Sequence, residues 1–115
     1  MARPTIDPAT FESLKDTAGA DFVGELVDTF LDEAPTMLDD LRRALAARDA
    51  GGFRRAAHSL KSNSNTFGAL DLGSLARDLE LGGLDPVVAA NGAPLDALEQ
   101  EYTRVAQALT DLKHG

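Results

Sequence analysis

From Phe11 to Leu112 the apolar residues of this chain recur at three- and four-residue spacing, and no stretch of strand length alternates apolar with polar. A stripe with that period lies on one face of an α-helix and is buried best against other helices. Ala and Leu dominate and β-branched residues are few, which favours helix along the whole chain. Punctuation comes at Gly and Pro. Asp7-Pro8 reads as an N-cap with proline at the first helical position, opening a short helix to about Asp16 with Phe11 and Leu14 inward. Beyond Gly19 a second helix is expected from Asp21 to Glu33, with Phe22, Leu26, Val27 and Phe30 as its stripe. Pro35 breaks a helical hydrogen bond, so a boundary is expected near Ala34; a third helix then carries Leu38, Leu41 and Leu45 to about Arg48. Asp49 is placed to cap a fourth helix, Ala50 to Phe67, which Gly68 stops. A fifth runs from Ala69 to Leu81 with Leu72, Leu75 and Leu79 inward, and Gly82-Gly83 ends it. Residues 84–93 read as a loop with room for one helical turn between Asp85-Pro86 and Asn91-Gly92. The last helix, Pro94 to Leu112, carries the seam Leu95, Leu98, Tyr102, Val105, Leu109 and Leu112. Short connections make neighbouring helices antiparallel. The expected fold is all-α: an up-and-down four-helix bundle with an additional short N-terminal helix, residues 1–115 forming a single domain.

Composition narrows the function. A chain of 115 residues can bury roughly two-thirds of its unfolded surface, so it needs no disulfide or metal to hold a core. It has 11 Lys and Arg against 19 Asp and Glu, a net charge of −8. Such acidity excludes a nucleic-acid footprint and argues against docking on an anionic membrane. No Cys is present, which removes thiolate metal and redox sites, and the two histidines, His58 and His114, are too few for an all-histidine metal site. No apolar run reaches the ~20 residues of a membrane span. The opening Met1 to Pro8 has no apolar signal core. A soluble cytoplasmic protein, or the soluble part of a larger one, is expected, and a monomer. Neither Gly-x-x-x-x-Gly-Lys-Ser/Thr nor Gly-x-Gly-x-x-Gly occurs, which argues against a self-contained nucleotide-driven enzyme.

One segment departs from the average. Gly51 to Phe67 contains Arg54, Arg55 and Lys61 and no acid, a local charge of +3 that leaves −11 for the rest of a chain totalling −8. On a helical wheel Phe53, Ala57, Leu60, Ser64 and Phe67 share a core stripe, with Ser64 expected to bond a carbonyl one turn back. Arg54, His58, Lys61, Ser62 and Asn65 share the other face. His58 is therefore expected outside, with a cation one turn back, a cation one turn on, and the small Ser62 beside it. A neutral imidazole is a competent nucleophile near pH 7. If it attacks a phosphoryl group, Lys61 and Arg54 stand where they can stabilise the arriving oxygens. A surface histidine on a helix is nevertheless most often a solvated polar residue, and its cations ordinary solubility charges. His114 reads as part of a frayed end, and Asp7 and Asp49 as caps.

Ala57-His58-Ser59-Leu60-Lys61-Ser62-Asn63-Ser64, followed by Phe67-Gly68-Ala69, resembles the signature of histidine phosphotransfer (HPt) domains. Asp21-Phe22, Glu25-Leu26, Phe30, Asp49 and Leu79-Glu80 match flanking features, so the resemblance extends from about Ile6 to Leu112. It implies a helical bundle that shuttles phosphoryl groups in multistep phosphorelays. In that reading His58 is the phosphoacceptor and Lys61 assists electrostatically. Ser62 keeps the site open, where many members of the family have Gly. Arg54, Arg55, Ser62 and Asn65 meet the partner, and Gly68-Ala69 is a structural motif. The implied partners are response-regulator receiver domains and a hybrid histidine kinase. The domain itself is expected to bind no cofactor and no metal, the receiver bringing Mg²⁺. A receiver's acidic site would favour a basic helix on approach. Two rival readings stand beside this one. One is a non-catalytic helical adaptor that binds a receiver or kinase. The other is an enzyme with its own phosphohistidine intermediate, against which stands the lack of a second cluster of acids and bases around His58.

Overall fold

The computed structural model describes residues 5–114, without the side chain of His114. The segment Met1–Pro4 and the reading of His114 as a frayed end therefore lie outside the described residues. Among these residues the secondary structure is helical throughout: α1 (Pro8–Ala18), α2 (Ala20–Ala47), α3 (Ala50–Thr66), α4 (Leu70–Gly82), α5 (Leu84–Ala89) and α6 (Ala93–His114). The long helices α2, α3, α4 and α6 make the bundle. The α3 helix packs against both α2 and α4, α6 closes the bundle against α4 and α2, and α1 lies across α2 and reaches α3.

The boundary expected at Pro35 is absent, because α2 runs through it. Val23, Val27, Phe30, Ala34, Leu38, Leu41 and Ala44 are all buried and stay in phase across the proline. An interior proline costs about 3 kcal/mol. Burying one large apolar side chain returns about 1.5–3 kcal/mol, and several lie on each side of the break. Pro35 itself is exposed, so water can serve the carbonyl it leaves without an amide partner. The expected second and third helices are thus one, and with it the four-helix count is met. The expected stripe of α2 holds at Val27, Phe30, Leu38 and Leu41 and departs from expectation at its start. Val23 takes the buried position expected of Phe22, which is 49% exposed in the first turn of α2. Leu112, near the end of α6, is likewise exposed rather than inward.

The 84–93 stretch is more ordered than expected. Gly83 adopts φ +74° and lets the chain turn directly into α5, whose Leu84 and Val87 are buried. Asn91 and Gly92, both at positive φ, then turn it into α6. The caps fall where the sequence places them: Asp7 accepts from the Thr10 amide and Asp49 from the Gly52 amide, each at 3.0 Å. Phe53, Leu41, Leu60, Leu72, Leu95, Leu98 and Leu109 are the large side chains fully removed from water. Phe30 packs its ring 5.3 Å from Phe67 and 6.1 Å from Tyr102, centroid to centroid. On the surface, Arg42 of α2 reaches Glu99 at 2.6 Å and Asp96 at 3.2 Å, tying α6 to α2.

The Gly68-Ala69 pair has a clear structural function. Gly68 has φ +83°, and its carbonyl accepts from the Asp7 amide at 2.8 Å. A Cβ on Gly68 would stand 3.0 Å from the Asp7 carbonyl oxygen and 3.0 Å from the Thr10 Cβ. The turn that ends α3 is therefore also the seat of α1. Gly68→Ala is expected to cost about 1–3 kcal/mol, combining left-handed strain with loss of that close approach. Chemical denaturation of the two proteins measures it.

Candidate functional site

The two faces of α3 separate as the wheel predicts. Phe53, Ala57, Leu60 and Ser64 are fully buried, and Ser64 Oγ donates to the Leu60 carbonyl at 2.6 Å. On the opposite face the His58 side chain is 60% exposed. Arg54, Ser62 and Asn65 are exposed beside it. Near the C-terminal end of α3, Asn63 and Thr66 donate their side chains to carbonyls one turn back, Ser59 and Ser62. These local bonds keep a polar helical segment satisfied without partners from elsewhere.

Lys61 departs from the expectation of free exposure. Its side chain is only 25% exposed and Nζ lies 2.7 Å from Glu80 Oε1 on α4. Glu80 Oε2 lies 2.6 Å from His58 Nδ1. A carboxylate only accepts, so Nδ1 carries the hydrogen and donates it. In the neutral imidazole this tautomer leaves Nε2 with its lone pair, on a ring mostly open to solvent. The Lys61 hydrogen bond holds the Glu80 carboxyl below its ordinary value; partial burial opposes this and the His58 bond adds to it. An acid–base partner for His58 thus does exist, supplied from α4, where the sequence reading saw none. Glu80 stands 22 residues from His58. Only the antiparallel packing of α4 on α3 brings the two together.

The remaining expected site residues divide. The Arg54 guanidinium lies over the α4–α5 junction, 3.8 Å from where a Cβ of Gly83 would be. Asn65 covers Gly73 of α4 so closely that any Cβ there would overlap its amide. Arg55 does not share the His58 face. It lines a groove of about 520 Å³ between α2 and α3 with Met37, Asp40, Arg43, Asp49 and Ser59. Gly68 and Ala69 are buried and serve the α1 contact described above. Among the described residues no group of three or more His, Cys, Asp or Glu is placed to hold a metal. No described helix is long and apolar enough to cross a membrane.

A helical bundle that presents one exposed, carboxylate-oriented histidine beside a lysine defines a class of phosphoryl carriers. The family model of the Hpt domain matches residues 25–108, and the chain belongs to that family. Its structure is similar to the crystal structure of histidine-containing phosphotransfer protein B (HptB) from Pseudomonas aeruginosa PAO1. The TM-score is 0.88 at 27% identity, over 98% of this chain and 97% of that one. A comparison with curated proteins returned no match.

Proposed function

We propose that this protein is a histidine phosphotransfer protein of a multistep phosphorelay. His58 accepts a phosphoryl group from a receiver-domain aspartate and passes it to another receiver. The observation that carries the site assignment is the 2.6 Å contact of His58 Nδ1 with Glu80, which leaves Nε2 of an exposed ring as the nucleophile. Nε2 attacks phosphorus in line as the aspartyl oxygen leaves. Such a transfer asks the carrier for position and charge more than for covalent help. Lys61 supplies a cation one turn along the same face, and Arg54 another one turn back. Ser62 and Asn65 leave the approach to His58 free of long side chains. Arg55, turned toward α2, meets the edge of the docked partner rather than the reacting group.

The protein acts as a carrier without kinase activity. The receiver supplies the Mg²⁺ and the acidic pocket, and a hybrid kinase is a fitting source of the phosphoryl group. The carrier is read as a cytoplasmic monomer, 1–115 working as one unit. Incubation with a phosphorylated receiver tests the proposal: acid-labile, alkali-stable label reaches the protein. Label that arrives from no receiver overturns it in favour of a non-covalent adaptor.

Lys61→Ala is expected to slow transfer roughly tenfold, the loss of one charge-assisted contact worth about 1.5 kcal/mol. Its stability cost is about 1 kcal/mol or less, because the ion pair with Glu80 is part-exposed. Single-turnover transfer and thermal melts read the two effects separately. A loss of stability several times larger would contradict this placement of Lys61.

A further inference from the structure

The outer side of the α3–α4 interface carries two facing pairs. His58 meets Glu80. Seven residues on in α3 and seven back in α4, two turns along each helix, Asn65 lies against Gly73. A Cβ on Gly73 would stand 2.1 Å from Asn65 Oδ1 and 2.9 Å from its Cγ. Gly73 sits inside α4 and is not among the glycines at positive φ. What it supplies is therefore space rather than backbone freedom, at a place where Gly weakens a helix relative to Ala. Among the described residues the Asn65 side-chain amide makes no hydrogen bond. Shape alone holds it in the notch.

We propose that Gly73 is a positioning residue for partner docking: it forms a notch that stows the Asn65 amide and keeps it off the approach to His58. The inference rests on the carrier reading above and adds what keeps the docking face clear. Side chains on a helix lean toward its N-terminus, over the residues three and four positions back, and χ1 has two favoured rotamers. For Asn65 those residues are Ser62 and Lys61, which flank His58. An Asn65 turned away from α4 therefore falls across Ser62, the small residue beside the imidazole. Stowed in the notch, the amide leaves Ser62 bare. A receiver must bring its aspartyl phosphate to Nε2 with a whole domain behind it, so it meets that obstruction. A small donor such as phosphoramidate passes it.

The energetics separate this role from plain packing. In Gly73→Ala the new methyl and the amide cannot share the notch, so one side has to give. The overlapping atoms are the far end of an exposed side chain with no polar partner to lose. Turning that amide out costs little, and Ala improves the helix. Drawing α3 and α4 apart instead would disturb a core in which Leu60 of α3 and Leu72 of α4 are fully buried, which is far more expensive. The helices stay and the amide moves.

The test uses the whole protein and times phosphoryl uptake from two donors, a phosphorylated receiver over a range of concentrations and phosphoramidate. Gly73→Ala should melt at or above the wild-type temperature. Its half-saturating receiver concentration should rise roughly tenfold with the maximal rate little changed. Its loading by phosphoramidate should match wild type. Adding Asn65→Ala to Gly73→Ala should restore receiver transfer, because no amide is left to stow. A merely structural glycine would instead lower the melting temperature, slow both donors alike and gain nothing from the second change. Asn65→Phe carries the test if Gly73→Ala misfolds: its ring is too wide for the notch, so it should raise the half-saturating concentration with Gly73 in place. Wild-type receiver dependence in Gly73→Ala, or no rescue by Asn65→Ala, overturns the role of Gly73 alone. Failure of wild-type His58 to take label from either donor overturns the carrier reading itself.

Discussion

His58→Gln is expected to take up no phosphoryl label from a receiver that loads the wild-type protein, and to keep the helical signal and melting temperature of wild type. The loss is complete because glutamine offers no nitrogen nucleophile of comparable basicity. Stability is untouched because the ring is 60% exposed and makes its polar contact to Glu80 at the surface. Glutamine also keeps an amide that can reach Glu80. Residual acid-labile label in this variant would mean that phosphate sits elsewhere and would move the site away from α3. His114, the other histidine of the chain, is the first place to look.

Phe53→Ala gives the opposite pattern. Phe53 is fully buried, one helical face away from His58. Emptying its place costs about 3–5 kcal/mol. Domains of this size have a total of only about 5–15 kcal/mol. The melting temperature should drop by roughly 10 °C or more. The fraction that remains folded should transfer phosphate at nearly the wild-type rate. Denaturant unfolding and single-turnover assays, run below the new transition, check both halves. A small stability loss would mean that the α2–α3–α4 core closes over the gap.

Much of this was readable from residue order. The helical period, the caps at Asp7 and Asp49, and the burial of Phe53, Ala57, Leu60 and Phe67 all follow from local rules. So does the outward placement of Arg54, His58, Ser62 and Asn65. What escaped depended on contacts between distant segments. Pro35 carries a local instruction to stop, but the buried stripe from Val23 to Ala44 outweighs it, and a local rule has no access to that sum. Lys61 and Arg55 each share α3 with His58, yet one is drawn in by Glu80 and the other turned toward the α2 groove. Their wheel positions alone do not decide this. The Glu80 contact needed the packing of α4 on α3. A signal existed: an acid on a helix predicted antiparallel to a basic helix is a ready partner. No spacing rule says which acid. The Gly68-Ala69 pair was legible as a motif, but its work, seating the start of α1, appears only with Asp7 beside it.

The two-sided character of α3 carries a wider consequence. Its inward face answers to the core and its outward face to whatever docks there, and the two groups of side chains have few partners in common. Changes on one side should then add to changes on the other with little coupling. A lineage carrying this bundle can alter the residues around His58, and with them its choice of partner, without repaying each step in the core. Repacking the interior likewise leaves the exposed chemistry where it was. The helix is a hinge of evolution rather than of motion: one rigid element on which foldability and acquaintance are inherited separately.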